Sequence, residues 1–84
     1  MTMLYLVLAS IYGYLDIVKY LVEKGANIHT WGESALIQSA RYGHLPVVKY
    51  LVEHGADVHA NDDKALNEAR AHGHGDIVNF LLSI

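Results

Sequence analysis

Apolar and polar residues follow one another along this chain with the period of an α-helix. In the stretch 45–53, apolar residues at positions 47, 48, 51 and 52 fall on one side of a helix, and Lys49 and Glu53 fall on the other. The same arrangement occurs earlier in the chain, because VKYLVEKGANIH (18–29) returns as VKYLVEHGADVH (48–59) with nine of twelve positions unchanged. The pattern predicts amphipathic helices that recur at a fixed interval.

The interval of 30 residues holds along the whole chain. Four sets of positions coincide when the chain is shifted against itself: Gly13, Gly43 and Gly73; Leu6, Leu36 and Leu66; Val18, Val48 and Val78; Leu21, Leu51 and Leu81. A fixed period of this length is typical of solenoids, in which each unit buries its apolar side against the next. We therefore predict one domain over residues 1–84, built from units at about 1–28, 29–58 and 59–84.

Each unit is predicted to contain two helices. The first covers 34–43 in the middle unit and 64–73 in the last, with Ser34 as its N-cap and Gly43 in the left-handed conformation that ends a helix. The second covers 44–55, with Pro46 in its first turn, where the missing N–H breaks no hydrogen bond. The residues between units are expected to form an extended arm with a polar tip.

The repeated residues resemble the ankyrin repeat over essentially the whole chain. The matches in order are Leu36, Ala40, Gly43, His44, Val48, Leu51, Gly55, Ala56, Asp57 and Val58 in the middle unit, and Leu66, Ala69, Gly73, His74, Val78, Leu81 and Leu82 in the last. The resemblance implies an all-α fold, an α-solenoid of almost three stacked helix-turn-helix ankyrin repeats. The tyrosines that follow Lys19 and Lys49 resemble those of ankyrin arrays carried by giant viruses.

Two departures from the family pattern concern the loops. The T-P-L-H box of the family reads SALI at 34–37, so the hydrogen bonding between its Thr and His is absent or replaced. The period is 30 residues, whereas the family usually shows about 33. The missing residues fall at the tip of the hairpin, so we expect short finger loops with weak or no β-pairing.

The apolar N-terminus fits the repeat better than it fits a signal peptide. LYLVLASIYG (4–13) occupies the position of a first helix, and no Lys or Arg precedes it. Leu4, Leu6, Val7 and Leu8 are nevertheless too apolar for the polar outer face that terminal units normally carry. Two alternatives follow: the chain is a piece of a longer array, or it is a short array that covers its uncapped ends by self-association.

Composition excludes several classes of function. The net charge is −3 and Lys plus Arg total six, which is too little positive charge to neutralise a nucleic-acid backbone. No apolar run is long enough to span a bilayer, so no membrane partner is expected. The chain has no cysteine, which suits a reducing compartment. The expected location is therefore intracellular, in the cytoplasm.

The six histidines do not predict a metal site. His44 and His74 are equivalent positions one repeat apart, about 8–10 Å if they lie on neighbouring helices, which is too far for both to bind one zinc ion. His72 and His74 could chelate a metal ion only adventitiously. No glycine cluster follows a strand pattern to form a phosphate loop, and Ser, His and Asp occur without a recognisable catalytic arrangement. We predict no enzyme activity, no catalytic residue, no metal and no cofactor.

A binding surface is therefore the predicted source of function. The resemblance implies a concave groove, lined by the fingers and the exposed face of the first helices, that binds another protein. The candidate partner-binding residues are Tyr12, Trp31, Glu33, Arg41, Tyr42, Asp62, Asp63 and His72. Trp31 could instead fold back on its own finger, and the tyrosines could pack between units. Tyr20, Tyr50 and Phe80 are expected to pack between units. The alternative function is that of a structural segment without an external ligand.

Overall fold

The computed structural model describes the backbone of residues 2–84 and the side chains of residues 4–84. Six α-helices follow one another: α1 (Thr2–Tyr12), α2 (Leu15–Glu23), α3 (Thr30–Arg41), α4 (Leu45–Glu53), α5 (Ala60–Ala71) and α6 (Gly75–Leu82). The described residues contain no strand. The predictions of an all-α fold and of short loops without β-pairing are therefore confirmed.

The helices form three hairpins arranged in two layers. Hairpin 1 comprises α1 and α2, hairpin 2 comprises α3 and α4, and hairpin 3 comprises α5 and α6. The first helices pack in the order α1, α3, α5, and the second helices pack in the order α2, α4, α6. The stack measures 30 × 21 × 18 Å. Each hairpin therefore contacts only its neighbours, as the periodic sequence predicts.

One continuous apolar core runs through all three hairpins. Leu6, Leu36, Leu51 and Ile77 belong to it and are shielded from solvent. Burying a side chain of this size stabilises a fold by about 1.5–3 kcal/mol. Because hairpin 2 is covered on both sides, Leu36 and Leu51 are completely enclosed, whereas Leu66 at the open side of hairpin 3 is only partly buried. The hairpins consequently depend on one another for a core.

Glycine and proline mark the ends of the helices as predicted. Gly43 follows α3 with φ 84° and Gly55 follows α4 with φ 94°. Both values lie in the left-handed region, where a residue without Cβ is least strained. Pro46 lies in the first turn of α4. These local signals separate the helices at the positions that the sequence indicates.

The segments between hairpins are compact turns, so the predicted extended arm is wrong. The backbone N–H of His29 donates to Oδ1 of Asn27 at 2.9 Å, and the N–H of His59 donates to Oδ1 of Asp57 at 3.0 Å. Asn and Asp favour such turns because their side chains accept a hydrogen bond from the backbone two residues ahead. The turns bring the chain directly to the start of the next helix.

A short left-handed turn lies near the start of both α3 and α5. Residues 31–33 have φ between 55° and 70°, and residues 61–63 have φ between 55° and 60°. We call these two segments the finger turns. The ranges of α3 and α5 include these turns, and their right-handed parts follow from residues 34 and 64, where the sequence predicts the first helices to begin. Ser34 thus lies at the start of the right-handed part of α3, and its role as N-cap stays a prediction.

Candidate functional site

Trp31 opens the first finger turn in a backbone conformation that its own side chain disfavours. Its φ is 55°, and 59% of the residue is exposed to solvent. Positive φ is uncommon for residues other than glycine and is strained for bulky ones. The equivalent residue in the second finger turn is Asn61, with the same φ of 55°, and asparagine adopts this conformation more readily. The backbone of the turn thus holds the indole outward.

A groove of about 500 Å³ opens between the two finger turns and the start of α3. We call it the finger groove, and its lining residues are Trp31, Ser34, Ile37, Gln38, Asn61, Asp62 and Lys64. The side-chain amide of Asn61 donates to the carbonyl of Gly32 at 3.0 Å, which ties one finger turn to the other. The groove therefore combines an aromatic wall with a wall that carries both signs of charge.

Two histidines form hydrogen bonds between neighbouring hairpins. Nε2 of His44 lies 2.8 Å from the carbonyl oxygen of Ile11, and Nε2 of His74 lies 2.8 Å from that of Arg41. Because a carbonyl oxygen only accepts hydrogen bonds, Nε2 carries the proton in both imidazoles. Each ring passes over a glycine of the preceding hairpin, so closely that a Cβ added to Gly43 would lie 2.7 Å from Cε1 of His74. We call each pair a histidine–glycine contact.

The family model described as "Ankyrin repeats (3 copies)" matches residues 6–84. The chain belongs to the ankyrin repeat family. No curated protein matches it significantly. Ankyrin repeats are generally protein–protein interaction modules, and the family is typically non-catalytic. Along the part of the ankyrin stack that the structure describes, no helix is long and apolar enough to cross a membrane.

Four histidines of this ankyrin array serve packing and turns: His44 and His74 between hairpins, and His29 and His59 in the turns that join them. Among the described residues, no group of three or more His, Cys, Asp or Glu side chains is arranged to hold a metal ion. The rings of His72 and His74 lie 6.4 Å apart between centroids, and Nε2 of His74 is already occupied by the carbonyl of Arg41. The sequence showed the repetition of His44 and His74, but only the geometry assigns them a role between hairpins.

Glu33 is not an exposed contact residue of the ankyrin finger. Only 5% of it is exposed, and its carboxylate contacts Nδ1 of His29. The left-handed turn directs the side chain of Glu33 back toward the residue four positions earlier. The partner-binding role of Glu33 stays a prediction, and only this small fraction of the residue is accessible to a partner.

The second ankyrin finger repeats this contact at the surface. Nδ1 of His59 lies 2.5 Å from Oδ1 of Asp63. The hydrogen bond that the imidazole donates to Asp63, together with the negative charge of Asp63, raises the pKa of His59 above the ordinary value of 6.5, and Asp57 adds to the effect. Asp63 is half-exposed beside Leu66 and Leu82, at the open end of hairpin 3 rather than in the finger groove.

We expect the pKa of His59 to fall toward its ordinary value when Asp63 is replaced by Asn. A pKa raised by folding stabilises the protein fully below the ordinary pKa, and this stabilisation is lost as pH rises through the folded pKa. The pKa is measured from the imidazole proton shifts in an NMR titration. Asp62→Asn is the matched control, and an equal fall of the His59 pKa in that variant would contradict the assignment.

The remaining candidate residues lie on the exposed side of the first ankyrin helices. The guanidinium of Arg41 lies 5.5 Å from the centroid of the Tyr42 ring, and its Nη1 lies 3.5 Å from Oε1 of Glu68. Tyr12 stacks on Tyr14 at 5.9 Å between centroids, at the N-terminal end of the stack. His72 is exposed next to His74. These residues do not form a single patch with the finger groove.

The structure therefore gathers only part of the predicted ankyrin surface. Of the candidates, it brings Trp31 and Asp62 to one groove, and it adds Gln38 and Lys64, which sequence reasoning missed. The repeat register offered a signal for Lys64, because Lys64 is the equivalent of Ser34, which also lines the groove. Tyr20 was expected to pack between units, but it is exposed because no described hairpin lies on its outer side. Tyr50 and Phe80 pack partly against the core, as expected.

Proposed function

We propose that this ankyrin array is a non-catalytic interaction module that binds a partner protein in its finger groove. The observation that carries the proposal is Trp31, an exposed indole in a strained backbone conformation at the wall of the groove. Strained residues persist where the surrounding structure fixes them, and they cluster at binding sites. Tryptophan is also among the residues that most often dominate binding energy.

The side chains that line the groove favour a partner segment with an apolar side chain next to a basic group. An apolar side chain of the partner would cover the face of Trp31, and a basic group would pair with the exposed carboxylate of Asp62 on the opposite finger turn. Lys64 lies at the same groove, so charges of both signs fix the orientation of the bound segment. Arg41, Tyr42, His72 and Tyr12 stay candidate partner contacts outside the finger groove, on the first helices and at their ends.

Replacing Trp31 by Asn is expected to stabilise the fold and abolish partner binding. Asn61 shows that the finger turn accepts asparagine at this position, and relief of the strained φ is worth roughly 0.5–1 kcal/mol. Urea denaturation measures the gain in the free energy of unfolding. A loss of stability would show that Trp31 serves the packing of its own finger, as the alternative interpretation of the sequence has it.

Affinity capture from a lysate of the source organism tests the binding itself. Proteins that the wild-type chain retains should be lost with Trp31→Asn and with Asp62→Lys. The first change removes the aromatic wall of the groove, and the second reverses a charge on the other wall. Tyr20→Ala is the control, since Tyr20 is as exposed as Trp31 but lies on hairpin 1, outside the groove. Retention of the same proteins by both groove variants would contradict the proposal.

A further inference from the structure

Hairpin 1 leaves an apolar surface uncovered at the N-terminal end of the described stack. Six exposed side chains form it, and we call them the end face: Tyr5, Leu8, Tyr12, Tyr14, Ile17 and Tyr20. They border a groove of about 380 Å³. Charged residues are absent from the lining of this groove, in contrast to the finger groove. A contiguous apolar patch of this kind usually marks an interaction site.

The repeat register shows that the end face occupies the position of an interface. Ile17 is 47% exposed, whereas the equivalent residues Val47 and Ile77 are completely buried. Ile77 is buried even though no described hairpin lies beyond hairpin 3, so this position is covered by the preceding hairpin. Ile17 therefore lies on the side of hairpin 1 that faces solvent, whereas the same side is buried in hairpins 2 and 3.

The end face differs at two positions from the faces that are buried between the described hairpins. Position 5 carries a tyrosine where the equivalent residues Ala35 and Ala65 are small and buried, so a helix at the usual distance would meet the Tyr5 ring. Position 14 carries a tyrosine where His44 and His74 make the histidine–glycine contacts. Tyr14 instead stacks on Tyr12. The end face therefore lacks the histidine of a histidine–glycine contact.

A second copy stacked head to tail does not match this face. Between hairpins, the ammonium group of Lys19 lies 5.9 Å from the ring centroid of Tyr50, and that of Lys49 lies 5.6 Å from the centroid of Phe80. The equivalent position in hairpin 3 is Asn79, which has no charge to place over Tyr20 of the next copy. Head-to-tail stacking would thus lose both the histidine–glycine contact and the cation–π contact.

We propose that the end face binds the same face of a second copy, in a dimer with two-fold symmetry. A two-fold interface joins one patch to itself, and a patch without charged residues meets no like-charge repulsion at its centre. Its four tyrosines are all more than half exposed, and aromatic side chains bury about 150–250 Å² each. Since these side chains still expose roughly half of their area, the six residues together offer somewhat less than the ~800 Å² per partner of a standard interface, which suits a monomer–dimer equilibrium.

Analytical ultracentrifugation of the chain over a range of concentrations tests the dimer. We expect a monomer–dimer equilibrium for the wild type, and a dissociation constant raised at least about tenfold by Ile17→Glu, a loss of ~1.4 kcal/mol. Leu82→Glu is the matched control, because Leu82 is similarly exposed at the opposite end of the stack. This control should dimerise like the wild type.

Three results would overturn the proposal. The wild type could stay monomeric up to its solubility limit, it could form open-ended oligomers as head-to-tail contacts do, or dimerisation could be lost with Leu82→Glu and kept with Ile17→Glu. Tyr5→Lys is a second end-face variant in case Ile17→Glu unfolds, and circular dichroism shows which variants are folded. A dimer that survives unchanged in either folded variant would also refute the assignment.

Discussion

Replacing Leu36 by alanine is expected to lower the free energy of unfolding by about 3–4 kcal/mol. Leu36 is completely buried in hairpin 2, the hairpin that has a neighbour on both sides. Removing its side chain loses the transfer free energy and leaves a cavity that the surrounding structure cannot fill. Since a chain of this length has a total stability of roughly 4–13 kcal/mol, the variant retains at best a part of it. Urea denaturation followed by circular dichroism measures the change.

Leu66→Ala is the matched control for this loss. Leu66 occupies the equivalent position in hairpin 3, but it is only partly buried because no described hairpin covers that side. We expect the free energy of unfolding to fall by about 1–2 kcal/mol, since less surface is removed from the core and solvent reaches the site. Equal losses for Leu36→Ala and Leu66→Ala would show that contacts between hairpins contribute little to the stability.

Replacing Gly43 by alanine is expected to lower the free energy of unfolding by about 2–4 kcal/mol. Two physical effects add. At φ 84° an L-residue is strained by roughly 1–2 kcal/mol. The new Cβ would also lie 2.7 Å from Cε1 of His74, so the imidazole has to move away from the carbonyl of Arg41, and the loss of this partly buried hydrogen bond costs about 1–2 kcal/mol. Thermal and urea denaturation measure the sum.

Gly55→Ala separates the two effects. Gly55 has a similar φ of 94°, but nothing lies within 4 Å of an added Cβ. The backbone strain is therefore shared, while the displacement of a histidine is not, and we expect a loss of only about 1–2 kcal/mol. If both variants lost the same stability, the histidine–glycine contacts would not hold the hairpins together.

The fold could be predicted from the sequence because the same local signals occur in every unit. The apolar stripe of α4, with Val47 and Leu51, predicts which side is buried, and Gly43 and Gly55 mark where helices end. Repetition in phase makes each signal more specific than one occurrence would be. The finger turns before the first helices were less predictable, since a left-handed turn at Trp31 has no typical sequence signature.

The candidate site was less predictable than the fold. Whether a side chain at a finger tip faces solvent depends on its backbone conformation, and the turn that exposes Trp31 also buries Glu33 two residues later. From the sequence alone, Trp31 and Glu33 were predicted to be equivalent residues at the tip of the finger. The role of His74 likewise depends on its distance to a backbone carbonyl 33 positions away, which side-chain types alone do not reveal.

The most direct test of the stacked arrangement is a nuclear Overhauser measurement on the two histidine rings. Cross peaks are expected between the imidazole protons of His74 and the α-protons of Gly43, and between those of His44 and Gly13, because each ring lies against its glycine. Such contacts between residues one hairpin apart arise only if the hairpins stack in the register described. Imidazole cross peaks confined to each histidine's own hairpin would contradict the stacked arrangement and, with it, the finger groove.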